Sequence, residues 1–90
     1  MAIYVDNVRV PHMGKLWCHL VADTLDELHH FAKRLEIPRR GFHYDASYPH
    51  YDITIELREM ALQLGAIAGN RRDIIRCAKQ LKEQFQDSFY

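Results

Sequence analysis

The ten residues from His43 to Asp52 hold the densest group of side chains that could transfer protons, bind a metal or form directed hydrogen bonds. They read His-Tyr-Asp-Ala-Ser-Tyr-Pro-His-Tyr-Asp, so the triplet His-Tyr-Asp occurs twice. In an extended backbone, His50 and Asp52 point to the same side of the chain. A histidine and a carboxylate on one face could bind a divalent metal or form an oriented acid–base pair. This segment is therefore the predicted working site.

Each part of this segment also has a purely structural interpretation. Asp52 could cap the next helix, while Tyr51 packs in the core and His50 lies in a loop. The alanine, serine and proline after the first triplet favour turns, which would place that triplet on the loop surface. A metal site needs three or four convergent ligands, and no recognised spacing joins the available ones. Those available ligands are His19, His43, His50, Asp45 and Asp52. The sequence therefore predicts no metal site and no cofactor.

Arginines on both sides of this segment indicate an anionic ligand. Arg39 and Arg40 precede it and Arg58 follows it, and guanidinium groups bind phosphate or carboxylate through paired hydrogen bonds. Arg71 and Arg72 fall in the first turn of a predicted helix, where cations oppose the helix dipole and a bound anion would relieve them. The alternative is that these side chains simply extend into solvent, as surface arginines often do.

Aromatic side chains could hold the ring of such a ligand. Trp17 is the single tryptophan and shares one face of a predicted strand with His19. Stacking on a base or ring is one use for Trp17, and packing in the core is the other. Phe42 and Tyr51 are the aromatic residues that flank the predicted working site.

Two short strands are predicted near the N-terminus. The β-branched and aromatic segment 2–6 reads as a strand, and segment 15–22 reads as a second. The link between them has about eight residues, which is too short for a parallel crossover of roughly a dozen, so the pair should be antiparallel. Asp6 and Asp23 should then lie at opposite ends of the pair. They should not form one metal site.

Three helices follow the strands. Thr24 and Glu27 form a capping box for the first helix, and Asp52 or Thr54 can cap the second. Asn70 can cap the third helix, with Asp73 three residues further on. The element order is β-β-α-loop-α-α, in a single domain over residues 1–90. This predicts an α+β fold, in which about three helices cover a small antiparallel sheet of two or three strands.

Composition narrows the classes of function. The 90 residues are 48% apolar and 27% charged, which is ordinary for a globular domain. Twelve basic and twelve acidic residues cancel, which makes DNA an unlikely partner. No apolar run approaches the length of a membrane span, and no signal peptide is evident, so we expect a cytoplasmic protein without membrane partners. The two cysteines have no zinc or redox spacing.

Several motifs occur in an order typical of one family. They are Tyr4-Val5-Asp6, His19 through Thr24, Glu27-Leu28-His29, Arg39, Phe42, His50-Tyr51-Asp52, Arg58, Ala61 and Gly65-Ala66. With them the chain resembles domain of unknown function 4031, a family of small phage and bacterial proteins. The resemblance covers residues 3–75. It implies a bacterial or phage cytoplasm and supplies no catalytic residues. It also implies that the second His-Tyr-Asp triplet, rather than the first, belongs to the family pattern.

The leading functional prediction is a small binding protein for an anionic, nucleotide-like molecule, such as a phage protein that sequesters a host defence signal. The predicted ligand-binding residues are Arg39, Arg40, Phe42, His50, Tyr51, Asp52, Arg58, Trp17 and His19. A protein of this size would form such a pocket across a homo-oligomer. The first alternative is a metal- or histidine-dependent phosphoesterase or nuclease that uses His50, Asp52 and Arg58. The second is a helix-turn-helix DNA-binding or protein-interaction module.

Overall fold

The computed structural model describes residues 2–43 and 49–87, and side chains as far as residue 84. Six strands and three helices lie in this part of the chain, with a short 3-10 turn at Arg39–Gly41. In chain order they are β1 (Ile3–Val5), β2 (Val10–His12), β3 (Lys15–Ala22), α1 (Leu25–Arg34), β4 (Phe42–His43), β5 (His50–Thr54), α2 (Ile55–Gln63), β6 (Ile67–Ala68) and α3 (Arg71–Asp87). Tyr44 and Asp45 of the first His-Tyr-Asp triplet lie outside the described residues.

The sheet is larger than the sequence predicts. Five of its six strands run in the order β4-β5-β3-β1-β6, and the sixth, β2, pairs with the first three residues of β3. The α+β class and the three helices agree with the prediction, but the sheet of two or three antiparallel strands is wrong. β2, β4 and β6 have only two or three residues each, too few to show the alternation by which a strand is recognised. β6 also pairs in parallel with β1, which makes the sheet mixed.

The predicted antiparallel pairing of the first two long segments is correct. β1 pairs antiparallel with β3, with Ile3 opposite Ala22 and Val5 opposite Leu20. The Asp6 amide bonds to the His19 carbonyl at one end of this ladder, and the Asp23 amide bonds to the Ala2 carbonyl at the other. The two aspartates are therefore separated along the strands, as the antiparallel arrangement requires.

Side-chain caps begin each helix. The Thr24 hydroxyl accepts from the Glu27 amide and donates to its carboxylate. Thr54, rather than Asp52, caps α2 by accepting from the Leu57 amide. Of the two caps that the sequence offered, Thr54 is therefore the one that occurs, and Asp52 lies inside β5 with its side chain turned to the sheet face. Asn70 Oδ1 accepts from the Asp73 amide, and Asp73 Oδ2 accepts from the Asn70 amide.

One hydrophobic core joins the sheet to the helices. Its largest fully buried side chains include Tyr51, Leu20, Leu28, Ile53 and Leu81. Tyr51 and Leu20 face each other across β5 and β3, and Leu28 and Leu81 come from α1 and α3. The core therefore holds β3 and β5 rigidly in register, which sets the positions of the polar side chains on the opposite face of these strands. Among the described helices, none is long and apolar enough to cross a membrane.

Strand β6 separates the second and third helices. The Gly69 amide bonds to the Val5 carbonyl, which ties the connection to β1. A helix-turn-helix joins its two helices by a short turn, whereas here a paired strand intervenes. The structural basis for the predicted helix-turn-helix is therefore missing.

Candidate metal centre

Strand register brings four polar side chains to one face of the sheet. His50 and Asp52 are two residues apart in β5 and point the same way. Asp52 lies opposite His19 of β3, and His50 lies opposite His43 of β4. Residues directly opposite each other on neighbouring strands share a face. Three histidines and one carboxylate therefore meet on three adjacent strands.

The imidazoles converge on the Asp52 carboxylate. His50 Nε2 lies 3.1 Å from Asp52 Oδ1, and His19 Nε2 lies 3.8 Å from the same oxygen. His43 Nε2 lies 3.1 Å from the other oxygen, Oδ2. The rings of His19 and His50 meet edge to face at 4.9 Å, and those of His43 and His50 stack at 5.1 Å. Asp52 is thus the centre of the cluster.

Asp6 contacts Nδ1 of His19, the ring nitrogen that faces away from Asp52. Its Oδ2 lies 2.6 Å from His19 Nδ1, and its Oδ1 accepts from the His19 amide at 2.9 Å. Because a carboxylate can only accept, Nδ1 donates its proton to Asp6, which leaves Nε2 to face Asp52. The Asp6 side chain is 12% exposed, and Arg58 Nε donates to the Asp6 carbonyl at 2.8 Å. Asp6 therefore fixes both the orientation and the tautomer of His19.

This hydrogen bond also changes the acid–base behaviour of His19. The bond to Asp6 raises the pKa of His19 above its ordinary value, against the opposing effect of burial. The neighbouring thiol of Cys18 behaves differently, because burial raises its pKa to about 12. Cys18 is accordingly a protonated, buried packing group at neutral pH. Cys18 and His19 are consecutive in β3, so the Cys18 side chain points to the opposite face of the sheet from His19.

His19, His50 and Asp52 have the geometry of a metal site. One ligand atom from each lies within 4.8 Å of the other two. Tetrahedral zinc with bonds of about 2.0–2.1 Å places its ligand atoms roughly 3.3 Å apart. The two separations from Asp52, 3.1 Å to His50 and 3.8 Å to His19, bracket that value, and the two histidine nitrogens lie within 4.8 Å of each other. Two histidines and one carboxylate with an open position are typical of catalytic zinc and of non-haem iron. The carboxylate of Asp6 on the outer nitrogen of His19 is the usual second contact of such a ligand.

A pocket of about 600 Å³ opens beside this cluster. Its walls include His19, His43, Asp52, Trp17, His12 and Met13. The Trp17 indole nitrogen donates to the His12 carbonyl at 2.9 Å, which fixes the indole against the β2–β3 hairpin. Pockets of this size hold small organic ligands. The polar cluster therefore faces a space that a ring-containing molecule could fill.

The remaining predicted site residues lie elsewhere. Tyr51 is buried on the other face of β5, where its hydroxyl lies 2.8 Å from His29 Nδ1 and also bonds to Arg39. Phe42 packs edge to face on His29 with ring centres 4.6 Å apart. Arg40 is exposed in the 3-10 turn. The structure thus brings His19, Asp52 and Trp17 to one pocket, places His50 beside Asp52, and does not bring Arg39 or Tyr51 to the pocket.

Asp6 was not among the predicted site residues, because it was considered only as a partner of Asp23. The same antiparallel pairing that separates Asp6 from Asp23 places Asp6 opposite His19, so the signal was present in the strand pattern. His43 lies in the predicted working site and was named among the available metal ligands, but its triplet was also assigned to the loop surface. Its position beside His50 was not predictable, because β4 has only two residues.

Comparison with known protein families agrees with the resemblance seen in the sequence. Residues 3–81 match the family described as "Protein of unknown function (DUF4031)". The match covers most of the chain, and the protein belongs to this family. No curated protein and no solved structure matches it.

Proposed function

We propose that this protein binds one divalent metal ion through His19 Nε2, His50 Nε2 and Asp52 Oδ1, and hydrolyses a phosphoester bond there. The convergence of these three ligands, with Asp6 orienting His19, is the observation that carries the proposal. Two histidines and one carboxylate leave a fourth position for water, as in hydrolytic zinc sites. The function is therefore that of a small metal-dependent phosphoesterase.

The charges around the site favour an anionic substrate. A divalent ion would balance the carboxylates of Asp6 and Asp52. The Arg58 guanidinium, only 14% exposed, donates to the Asp6 carbonyl and pairs with the exposed Glu59 carboxylate at 3.7 Å. A divalent ion with the Asp52 carboxylate as its one charged ligand would keep a net positive charge toward the pocket, and this charge attracts phosphate. Trp17 at the pocket wall offers a surface for a ring, so a nucleotide-like phosphoester fits both features.

Hydrolysis would add one water molecule across a P–O bond. The water oxygen loses one proton and forms a new bond to phosphorus, the bond to the leaving oxygen breaks, and the leaving oxygen takes up one proton. A metal ion in this site would lower the pKa of a bound water. His43 lies in the pocket wall, 3.1 Å from Asp52 Oδ2 and 47% exposed. It is placed to donate the proton to the leaving group.

Zinc titration and turnover test this function together. We expect one zinc ion per chain by calorimetry, and hydrolysis of bis(p-nitrophenyl) phosphate by the zinc-loaded protein. His50→Ala should lose both, because it removes a ligand. His30→Ala is the matched control, since His30 is exposed on α1 away from the cluster, and it should retain both. Absence of stoichiometric zinc, manganese or iron binding in the wild type would reject the proposal.

The same pocket supports a second candidate, in which an anionic nucleotide-like molecule is bound without turnover. Its volume and the fixed Trp17 indole favour this candidate. Arg39 and Arg58 were expected to hold the phosphate together, but they bond to Tyr51 and to the Asp6 carbonyl respectively. The metal ion would hold the phosphate instead. Native mass spectrometry that finds a retained nucleotide, with no hydrolysis of it, would favour sequestration by a phage protein.

The biological setting is part of the same proposal. A cytoplasmic location follows from a nucleotide-like substrate, and a homo-oligomer would enclose a pocket that is open on one side in a single chain. The native mass spectrum that reports a retained ligand also reports the number of subunits.

A further inference from the structure

We propose that the substrate is a polynucleotide, and that one face of α3 binds the phosphates of a single nucleic-acid strand. We call this surface the basic face; it consists of Arg71, Arg72, Arg76 and Lys79. The inference rests on the proposed phosphoesterase function and names its substrate class. Zero net charge argued against nucleic acid, but the cations are unevenly distributed over the folded chain.

Helical spacing places these cations together. Arg72, Arg76 and Lys79 are separated by four and three residues, and therefore share one side of the helix. With Arg71 and the half-buried Ile75 they line one open depression on the surface. All four cations are exposed. Within the described chain, Arg71, Arg72 and Lys79 form no ion pair, so their charges are available to an external anion.

The basic face borders the sheet face that carries the metal centre. Tyr4 of β1 lies opposite Val21 of β3. Val21 and His19 are two residues apart in β3 and point to the same side, so Tyr4 shares a sheet face with His19. The Arg76 guanidinium lies 5.6 Å from the centre of the Tyr4 ring and donates to its hydroxyl at 3.1 Å. One flexible strand could thus contact α3 and reach the pocket beside His19.

Nucleic acid fits this surface better than a lipid membrane does. An interfacial helix inserts a large apolar face into lipid, but the apolar residues of α3, among them Cys77, Ala78 and Leu81, are buried in the protein. From Arg72 to Lys79 the helix rises about 10 Å, so the basic face is long enough to contact more than one neighbouring phosphate of a strand. An unpaired base could then stack on Trp17, as bases do in proteins that bind single strands.

Fluorescence anisotropy with a labelled single-stranded 12-nucleotide oligothymidylate tests the inference. The variant Arg72→Gln/Lys79→Gln removes two charges from the basic face. The control Lys33→Gln/Arg34→Gln removes two exposed charges from the end of α1 and so changes net charge equally. We expect the first variant to raise Kd about tenfold and to lower the slope of log K against log salt by about 1.4. The control should change Kd less than about twofold.

Three outcomes would overturn the inference. The wild type could fail to bind the oligonucleotide, the two variants could lose affinity equally, or a methylphosphonate strand without backbone charge could bind as well as the phosphodiester. Two measurements distinguish failure of this inference from failure of the proposed function: zinc binding and hydrolysis of bis(p-nitrophenyl) phosphate. If the protein does not bind the oligonucleotide but still binds zinc and hydrolyses this ester, the phosphoesterase function stands and its substrate is small.

Discussion

The two ring nitrogens of His19 have different partners, and this division is the chemical basis of the cluster. Nδ1 donates to Asp6, while Nε2 faces Asp52 and the pocket. Without Asp6 the imidazole could take either tautomer and rotate about its side-chain bonds. A ligand that must order itself on binding costs entropy, whereas one already oriented does not. Asp6 is thus a positioning residue for His19, a ligand of the proposed metal ion.

Asp6→Asn should weaken zinc binding about 10- to 100-fold, because an amide orients and polarises the imidazole less well than a carboxylate. The measurement is zinc titration against a competing chelator. Asp23→Asn is the matched control, since Asp23 lies at the other end of the β1–β3 ladder, bonded to the Ala2 amide. Equal zinc affinities for wild type and Asp6→Asn would show that Asp6 serves the backbone alone.

At the scale of elements, the parts of the fold that depend on local sequence were predictable. β3 begins and ends at the predicted residues, Lys15 and Ala22, because eight residues give a clear strand pattern. The capping pairs at Thr24 and Asn70 also occur as predicted. β6 was not predicted, because two residues carry no pattern and the strand exists only through its pairing with β1.

The candidate site was also predictable only where it depends on local sequence. His50 and Asp52 share a face through local alternation, which the sequence shows directly. The approach of His19 to Asp52 depends instead on the register of β3 against β5, which is set by Cys18, Leu20, Tyr51 and Ile53 in the core. Register between strands distant in sequence follows from packing and turn geometry. A single sequence therefore showed the ligands without showing that they meet.

The capping box of α3 makes a separate prediction. Asn70→Ala removes the oxygen that accepts from the Asp73 amide at 2.9 Å, and should lower the free energy of unfolding by about 1 kcal/mol. Urea denaturation followed by circular dichroism measures the change. Asn7→Ala, at an exposed position outside the helices, should have a smaller effect. Equal effects of the two substitutions would show that the cap contributes nothing.

For the whole molecule, the free energy of unfolding depends on pH through two histidines that act in opposite directions. His29 of α1 and His19 of β3 lie on opposite sides of the sheet. Burial, with a further contribution from Arg39, lowers the pKa of His29 below its ordinary 6.5, while the bond to Asp6 raises that of His19 above 6.5. Near pH 6.5 the unfolded chain therefore holds more protons at position 29 and fewer at position 19 than the folded chain. Stability changes with pH in proportion to this difference in bound protons. The contribution of His29 falls as pH falls, and that of His19 falls as pH rises.

Urea denaturation of wild type, His29→Gln and His19→Gln from pH 8 to 5 separates the two contributions. The stability advantage of wild type over His29→Gln should shrink as pH falls through 6.5, because folding keeps His29 neutral beside the Tyr51 hydroxyl. The stability advantage of wild type over His19→Gln should be fully present below pH 6.5 and should be lost as pH rises through the raised pKa of His19. These titrations are run in chelator, because a bound metal would hold His19 deprotonated. Parallel curves for wild type and both variants would mean that neither histidine couples folding to protonation, and the hydrogen bonds to Tyr51 and Asp6 would then not govern their ionisation.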